Sequence, residues 1–368
     1  MTASRPLTIG IDARAATEVA AGRGRVVREL IHALAARTDD PNRYILYARR
    51  PWQEVELDER FSWRTISAGD PWWHLLAARA ANRACDVFLS SNSYLTLWFL
   101  RIPAVPIVYD LVAFDPSMHA NRRSTIIERV TLGPAVRRWA ALLAISQATA
   151  DALAARFPAS VPRTVVAHLG AAPTDISELT AAEAAELPAA GFVLAVGTLE
   201  PRKNLPRLVA AYSTLEDQLQ AGHPLVVVGA LGWETGPTLT ALQSLGERCT
   251  MLGFVSDAAL SELYRRCAVF CYPSLGEGYG LPVVEAMAAG AAVITSNISS
   301  LPEVGGDAAD YVDPHDVASI TAGLRRVLGD ESYREELSRR GLARASEFSW
   351  ARFAERTLEV LQGASSRS

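Results

Sequence analysis

At 368 residues the chain exceeds the size at which one hydrophobic core stops growing, so two domains are expected. Hydrophobic residues supply 49% of it and charged residues 21%, which fits a globular enzyme and excludes a disordered or fibrous chain. The formal charge of −4 conceals an asymmetry, since residues 1–175 hold 21 Arg against 16 acids and the remainder 15 basic residues against 24 acids.

The opening "MTASRPLTIGIDAR" has no charged region followed by an apolar stretch, so no signal peptide is read there. Strands are expected at 7–12, 43–48, 86–91, 106–110, 141–146 and 164–169, then at 192–197, 224–229, 249–254, 268–273, 291–296 and 309–313. These runs lack period-two alternation, as strands do when helices bury both faces. Helices are expected at 25–37, 72–84, 122–140, 147–157, 205–219, 256–266 and 282–289. Strand–helix–strand order gives right-handed βαβ units and open parallel sheets, here in two series.

The Ala- and acid-rich segment 171–191 separates the series and reads as a linker. Domains are therefore drawn at 1–175 and 176–348, with 349–368 a final helix that crosses back to the first domain, plus a tail. The most apolar window, 94–112, is interrupted by Arg101, Pro103 and Pro106 and cannot span a bilayer. Cys85, Cys249, Cys267 and Cys271 form no CxxC pair and have no His at metal-ligand spacing. Reduced thiols in a cytoplasm and no metal site are expected.

In open α/β sheets ligands sit beyond the carboxyl ends of strands, so chemistry is sought at strand-to-helix turns. Gly197 ends one strand, and "TLEPRKN" leads to a helix with Asn204 as its expected cap. Lys203 is the only lysine of the chain and stands beside Arg202. A guanidinium fork and a compact ammonium at a helix start suit a diphosphate; alone, the pair also reads as two solvated loop residues. The turn "SLGEGYGLPVVEAM" adds three glycines, Gly276, Gly278 and Gly280, whose backbone can approach a ligand closely. Its two carboxylates, Glu277 and Glu285, are placed to accept from sugar hydroxyls, Glu285 from a ribose.

These motifs resemble retaining glycosyltransferase family 4. "EGYGLPVVE" matches its E-x7-E motif, "GTLEPRKNLPRLVAAY" its donor-phosphate segment, and the opening with its glycine loop is similar to the bacterial mannosyltransferase-like branch. The resemblance implies a GT-B fold, two Rossmann-like doubly wound parallel-sheet domains facing a central cleft. It implies that Arg202 and Lys203 hold the donor diphosphate and Glu277 lies beside the sugar. Gly197, Gly278, Tyr279, Gly280 and Leu281 would then line the donor, Phe254 and Val255 border its base, and Glu285 bind the ribose. Gly22 and Gly24 would approach the diphosphate, and Asp12 and Arg14 point the same way. The chain departs from many relatives in carrying Tyr109 before Asp110, where those have His. Asp12, Tyr109, Asp110, His119 and His168 are the candidates on the acceptor and sugar side.

The implied function is hexosyl transfer with retention, best mannose from GDP-mannose, with UDP- or dTDP-sugars as the alternative. The acceptor would be a glycan or lipid-linked glycan of the cell surface. No DxD motif is present, so metal independence is expected, with no cofactor beyond the donor and no nucleic-acid partner. The Arg-bearing first half either meets an anionic acceptor or membrane surface, peripherally on the inner face, or is a solvated surface. Two other classes are weighed. A dinucleotide oxidoreductase needs G-x-G-x-x-G directly after a strand, and "GRGRVV" lacks the third glycine. A non-catalytic sugar-nucleotide-binding subunit stays open because Tyr109 replaces His.

Overall fold

The computed structural model describes residues 5–19, 22–53, 56–114, 122–139, 141–171, 179–233 and 235–366. The chain divides into two compact units. The first runs to Gly170 and takes back the terminal helix Trp350–Ser365; the second spans Ala171–Ser349.

The first unit is built on seven parallel strands. They are β1 (Thr8–Asp12), β2 (Arg43–Ala48), β3 (Phe61–Thr65), β4 (Val87–Ser90), β5 (Ala104–Val108), β6 (Leu142–Ala144) and β7 (Thr164–Val166), in the order β3-β2-β1-β4-β5-β6-β7. Strands β4 and β5 are buried throughout, which is why their sequences run apolar without alternation. Edge strand β3 was not among the expected runs: Ser62, Arg64 and Thr65 are exposed, and only Phe61 reaches the core. Strand β5 starts and ends earlier than the run 106–110, so Tyr109 and Asp110 lie just beyond its carboxyl end. The terminal helix packs on helix Arg23–Ala35 and on β4 and β5.

The second unit holds β8 (Val193–Val196), β9 (Leu225–Val228), β10 (Cys249–Gly253), β11 (Val269–Tyr272), β12 (Val293–Ser296) and β13 (Asp310–Val312), ordered β10-β9-β8-β11-β12-β13. Its core joins Val193, Val269 and Ile294 of the sheet to Leu208 and Tyr212 of helix Leu205–Ser213 and to Leu324 of helix Val317–Gly329. The helix expected over 205–219 stops at Ser213, where Thr214 turns its hydroxyl onto the Ala211 carbonyl, and a second helix covers Asp217–Gly222. In the segment read as a linker, Thr180 and Glu183 form a reciprocal capping box that starts helix Ala181–Glu186.

All strands run parallel, and in each sheet the strand order turns back once, between β1 and β4 in the first and between β8 and β11 in the second. Loops leaving two adjacent strands in opposite directions open a crevice at that point, the preferred ligand position of doubly wound sheets.

Candidate active site

The switch point of the second unit brings together the two turns singled out in the sequence. Strand β8 leads through Gly197 to a tight turn, Pro201–Lys203, directly before helix Leu205–Ser213. Its neighbour β11 leads to the loop 273–280 and helix Leu281–Ala288. The Leu275 amide donates to the Arg202 carbonyl at 2.9 Å, and the Ser274 hydroxyl donates to the same oxygen at 3.1 Å. The loops are thus tied to each other.

Between them lies a closed charge cluster. Arg202 donates to a Glu277 carboxylate oxygen, to the Gly276 carbonyl at 2.8 Å and to Glu200 at 2.5 Å. Lys203 Nζ donates to the other Glu277 oxygen at 2.8 Å and to the Tyr272 hydroxyl, 4.8 Å from that ring's centroid. Ser274 and Tyr272 also donate to Glu277, at 2.7 and 2.8 Å. Two carboxylates and two cations make the cluster neutral. Burial alone would raise the Glu277 carboxyl, but Arg202 and Lys203 outweigh it and hold the group well below the usual range. Burial, then the Arg202 charge, lower the Lys203 ammonium against the pull of Glu277. For Arg202 burial is outweighed by Glu277 and Glu200, which raise it.

Glycine is required where the lysine stem passes. Gly197 has φ of 141°, and a Cβ there would stand 3.0 Å from Lys203 Cε. Asn204 occupies the expected cap position in the left-handed region, φ 60°, but its side chain does not cap. It donates to the carbonyls of Pro273 and Pro314 at 2.9 and 2.7 Å, fixing the turn to the β11 loop.

Around the cluster, Gly280 caps helix Leu281–Ala288 with φ of 98°, and Leu281 is half-buried at its start. Gly278 precedes Tyr279, whose ring is buried edge-on to Phe348, so Tyr279 offers its backbone to the loop. The Ser300 hydroxyl holds the carbonyls of Glu277 and Tyr279 at 3.0 and 2.8 Å. Glu285 lies one turn into the helix, nearly buried, and accepts from the Tyr264 hydroxyl at 3.3 Å. Past β10, Phe254 is largely exposed and Val255 half-buried.

In the first unit, Asp12 at the end of β1 has no exposed surface, and both its oxygens are taken by Arg14, at 3.0 and 2.8 Å. The Arg14 guanidinium lies 3.7 Å over the Trp73 ring. This pair is therefore built into the core. Gly22 is the N-cap of helix Arg23–Ala35 with open space at its Cβ position. At Gly24 a Cβ would stand 1.7 Å from the Val19 carbonyl, so its missing side chain serves the chain's own close approach. Tyr109 is buried; its hydroxyl donates to the Ser91 carbonyl at 2.8 Å, and the Arg23 guanidinium sits 5.1 Å over its ring. Asp110 is half-buried and accepts from the Val112 amide at 3.0 Å. His168 is exposed, two residues beyond β7, and His119 lies outside the described residues.

Residues 182–344 match the family model of glycosyl transferases group 1. The chain is 31% identical over 337 residues to the MMP alpha-(1->4)-mannosyltransferase of Mycolicibacterium hassiacum, covering 85% of this chain and 80% of that one. The chain belongs to the group 1 glycosyltransferases. It is also 43% identical over 176 residues to the O-antigen chain mannosyltransferase B of Escherichia coli, covering 46% of this chain and 45% of that relative. The chain spans less than half the length of the curated relatives matched at 40–43% identity. Among solved structures, the sucrose-phosphate synthase of Thermosynechococcus elongatus superimposes with a TM-score of 0.75 at 19% identity, over 99% of this chain and 100% of that one. That likeness gives the fold, the GT-B type built from two parallel-sheet units.

Every second-unit position that the sequence of this group 1 glycosyltransferase leads one to expect on the donor side lies inside the matched span, from Gly197 to Glu285. The sequence pattern does not single out Tyr272 and Ser274, which complete the Glu277 shell, because a Tyr and a Ser at a strand end read as ordinary core and turn residues. Nor does it single out Glu128, whose carboxylate lies 4.0 Å from Arg23 and has one buried oxygen without a hydrogen-bond partner. A lone Glu in an Arg-rich helix reads as a solvated surface residue.

Proposed function

We propose that the protein is a retaining mannosyltransferase that uses a nucleotide-diphosphate sugar, GDP-mannose before UDP- or dTDP-sugars, on a glycan or lipid-linked acceptor of the cell surface. The observation that carries this reading is the Arg202–Lys203–Glu277 cluster at the switch point of the second sheet. The mannosyl assignment is supported by relatives named as an O-antigen chain mannosyltransferase and an MMP mannosyltransferase.

In this reading the bond between the sugar's anomeric carbon and the diphosphate oxygen breaks, and a bond to the acceptor hydroxyl forms on the same face. The acceptor's proton passes to the departing phosphate oxygen. The chain contributes electrostatics: the Arg202 fork binds two phosphate oxygens, and the Lys203 ammonium follows the charge that develops on the leaving one. Glu277 keeps both cations charged and aimed, and accepts from the transferred sugar. The backbone of 278–281 faces the phosphates, Glu285 takes the ribose hydroxyls, and Phe254 and Val255 border the base. Two fixed cations do for the diphosphate what a bound metal ion does elsewhere, so transfer is metal-independent. The enzyme works in the cytoplasm.

A non-catalytic sugar-nucleotide-binding subunit is the second reading, favoured by one observation: the Tyr109 hydroxyl is committed to the Ser91 carbonyl. Incubation with labelled GDP-mannose, UDP-glucose and dTDP-glucose separates the two. Slow hydrolysis or transfer with GDP-mannose is expected, undiminished by EDTA, with the product's anomeric configuration retained by NMR. Tight binding without turnover of any donor supports the subunit instead. Loss of transfer in EDTA with recovery in Mg²⁺ overturns the role given to Arg202 and Lys203.

A further inference from the structure

Tyr272 is the last residue of β11 and is buried, its ring stacked on Phe270 with centroids 5.6 Å apart and planes 24° apart. Pairing with Thr295 of β12, and the Thr295 hydroxyl on its carbonyl at 3.0 Å, fix its backbone. Phenylalanine would bury the same ring with no hydroxyl to satisfy. Packing therefore accounts for the ring and not for the oxygen.

Both hydrogen bonds of that hydroxyl run to the charge cluster. It accepts from the Lys203 ammonium and donates to Glu277 Oε1 at 2.8 Å. An ammonium has three N–H donors. One of Lys203 goes to the tyrosine hydroxyl and one to Glu277 Oε1 at 2.8 Å. Among the described residues the third has no acceptor, although only 12% of the side chain is exposed. One donor of a nearly buried cation thus stands ready for a further anionic oxygen.

The direction of that donor follows from the same contacts. The ammonium is tetrahedral and ends a flexible four-carbon stem. Held by Glu277 alone, it could turn about one hydrogen bond, and the unclaimed N–H would sweep a cone. A second acceptor on a rigid strand fixes all three N–H directions. Glu277 does not supply this second point, because its other oxygen is gripped by Arg202. Nor does the carboxylate depend on the lysine: Ser274 and Tyr272 donate to Oε1 at 2.7 and 2.8 Å and remain when a phosphate draws on the ammonium's charge.

The geometry points to Tyr272 as a positioning residue for transfer, whose hydroxyl aims the unclaimed N–H of Lys203 at the diphosphate oxygen that leaves the anomeric carbon. The inference rests on the transferase reading above and adds to it a residue that acts through the lysine and not on the substrate. As the bond from the anomeric carbon to that oxygen breaks, the electron pair stays on the oxygen. A donor already in place stabilises this charge without reorganising. Such a contact strengthens toward the transition state, so its loss lowers kcat and leaves KM for the sugar nucleotide nearly unchanged.

Steady-state hydrolysis of GDP-mannose by the full chain, beside thermal melts, tests it in the parent, Tyr272→Phe, Lys203→Ala and the double variant. Tyr272→Phe should lose about 10- to 30-fold in kcat, with KM within about twofold of the parent and melting near the parent temperature. In the Lys203→Ala background the same change should cost nothing further, because the hydroxyl acts through that lysine. A tyrosine with a structural role only would lower the rate equally in both backgrounds. With Lys203→Ala impaired, the inference alone is overturned if Tyr272→Phe keeps the parent kcat, if it raises KM in place of lowering kcat, or if the two losses multiply. A Tyr272→Phe chain that melts far below the parent overturns it as well, since the hydroxyl would then be holding the fold. A parent that turns over none of GDP-mannose, UDP-glucose and dTDP-glucose overturns the transferase reading, and this inference with it.

Discussion

Lys203 and Glu277, 74 positions apart in the chain, form one buried ion pair with Nζ 2.8 Å from Oε1. An internal carboxylate thus holds both cations assigned to the donor diphosphate, since Arg202 grips its other oxygen. A diphosphate competes with Glu277 or shares the two cations with it. Glu277→Gln removes the internal anion, strands the buried Lys203 ammonium and leaves Arg202 with Glu200 alone, at a cost of about 3–5 kcal/mol. An added nucleoside diphosphate would then supply the missing anion, and a ligand that binds only the native state raises its stability. Thermal melts should show Glu277→Gln less stable than the parent but raised further by GDP. An equal or smaller GDP shift in the variant would mean that phosphate does not reach these cations.

Gly197 offers a way to disturb the lysine without touching its charge. A methyl group there meets Lys203 Cε at 3.0 Å, and the backbone at φ 141° disfavours any side chain. Gly197→Ala should displace the ammonium and lower kcat in the same direction as Lys203→Ala. The latter removes one stabilising charge and should cost about 10²- to 10³-fold in turnover. Glu277 keeps Arg202, Tyr272 and Ser274 when Lys203 is lost, so melting should change far less than turnover. Steady-state rates beside melts decide it. Full activity in Lys203→Ala sinks the phosphate role.

Asp12 and Arg14, at the end of β1, pair inside the core of the first unit. With its carboxylate fully buried against Arg14, and Arg14 stacked on Trp73, Asp12→Asn leaves a guanidinium in the core with Asp70 at 3.4 Å as its remaining acid. Burial lowers the Arg14 affinity for its proton, and Asp12 outweighs this. The expected outcome is a loss of about 3–5 kcal/mol in denaturant unfolding and no selective rise in KM for the acceptor. A stable variant with a raised acceptor KM would return Asp12 to the ligand-facing group.

The parallel sheets were legible because β4, β5, β9, β11 and β12 are buried on both faces and read as apolar runs. Edge strand β3 was not, because half of an edge faces water and its Ser and Arg dilute the pattern. Around the site, Arg202, Lys203 and Glu277 could be named from charge and spacing in loops. Their mutual pairing could not, because it depends on β8 and β11 being neighbours, a property of strand order rather than of local sequence. Gly24 illustrates the converse: in sequence one glycine reads equally well as ligand approach or chain packing, and the 1.7 Å from a Cβ there to the Val19 carbonyl shows a packing requirement that no local pattern carries.

Glu128 gives the first unit a pH-dependent stability of definite sign. Burial, and then the charge of Asp110, push its carboxyl up to about 7 from an ordinary 4.5, with Arg23 opposing only in part. Tyr94 also faces this group, and its own hydroxyl is raised by burial and then by Glu128. Between those two pH values the folded chain binds a proton that the unfolded chain has released, so this group's contribution falls as pH rises through the window. The full step corresponds to about 3 kcal/mol, an upper figure for a side chain that keeps some contact with water. Glu128→Gln keeps the shape and removes the titration. Urea unfolding should find the variant close to the parent at about pH 5 and more stable by about 1–3 kcal/mol at about pH 8. A difference that is the same at both pH values, or a variant weaker at the higher one, would show that Glu128 is charged and satisfied in the folded chain.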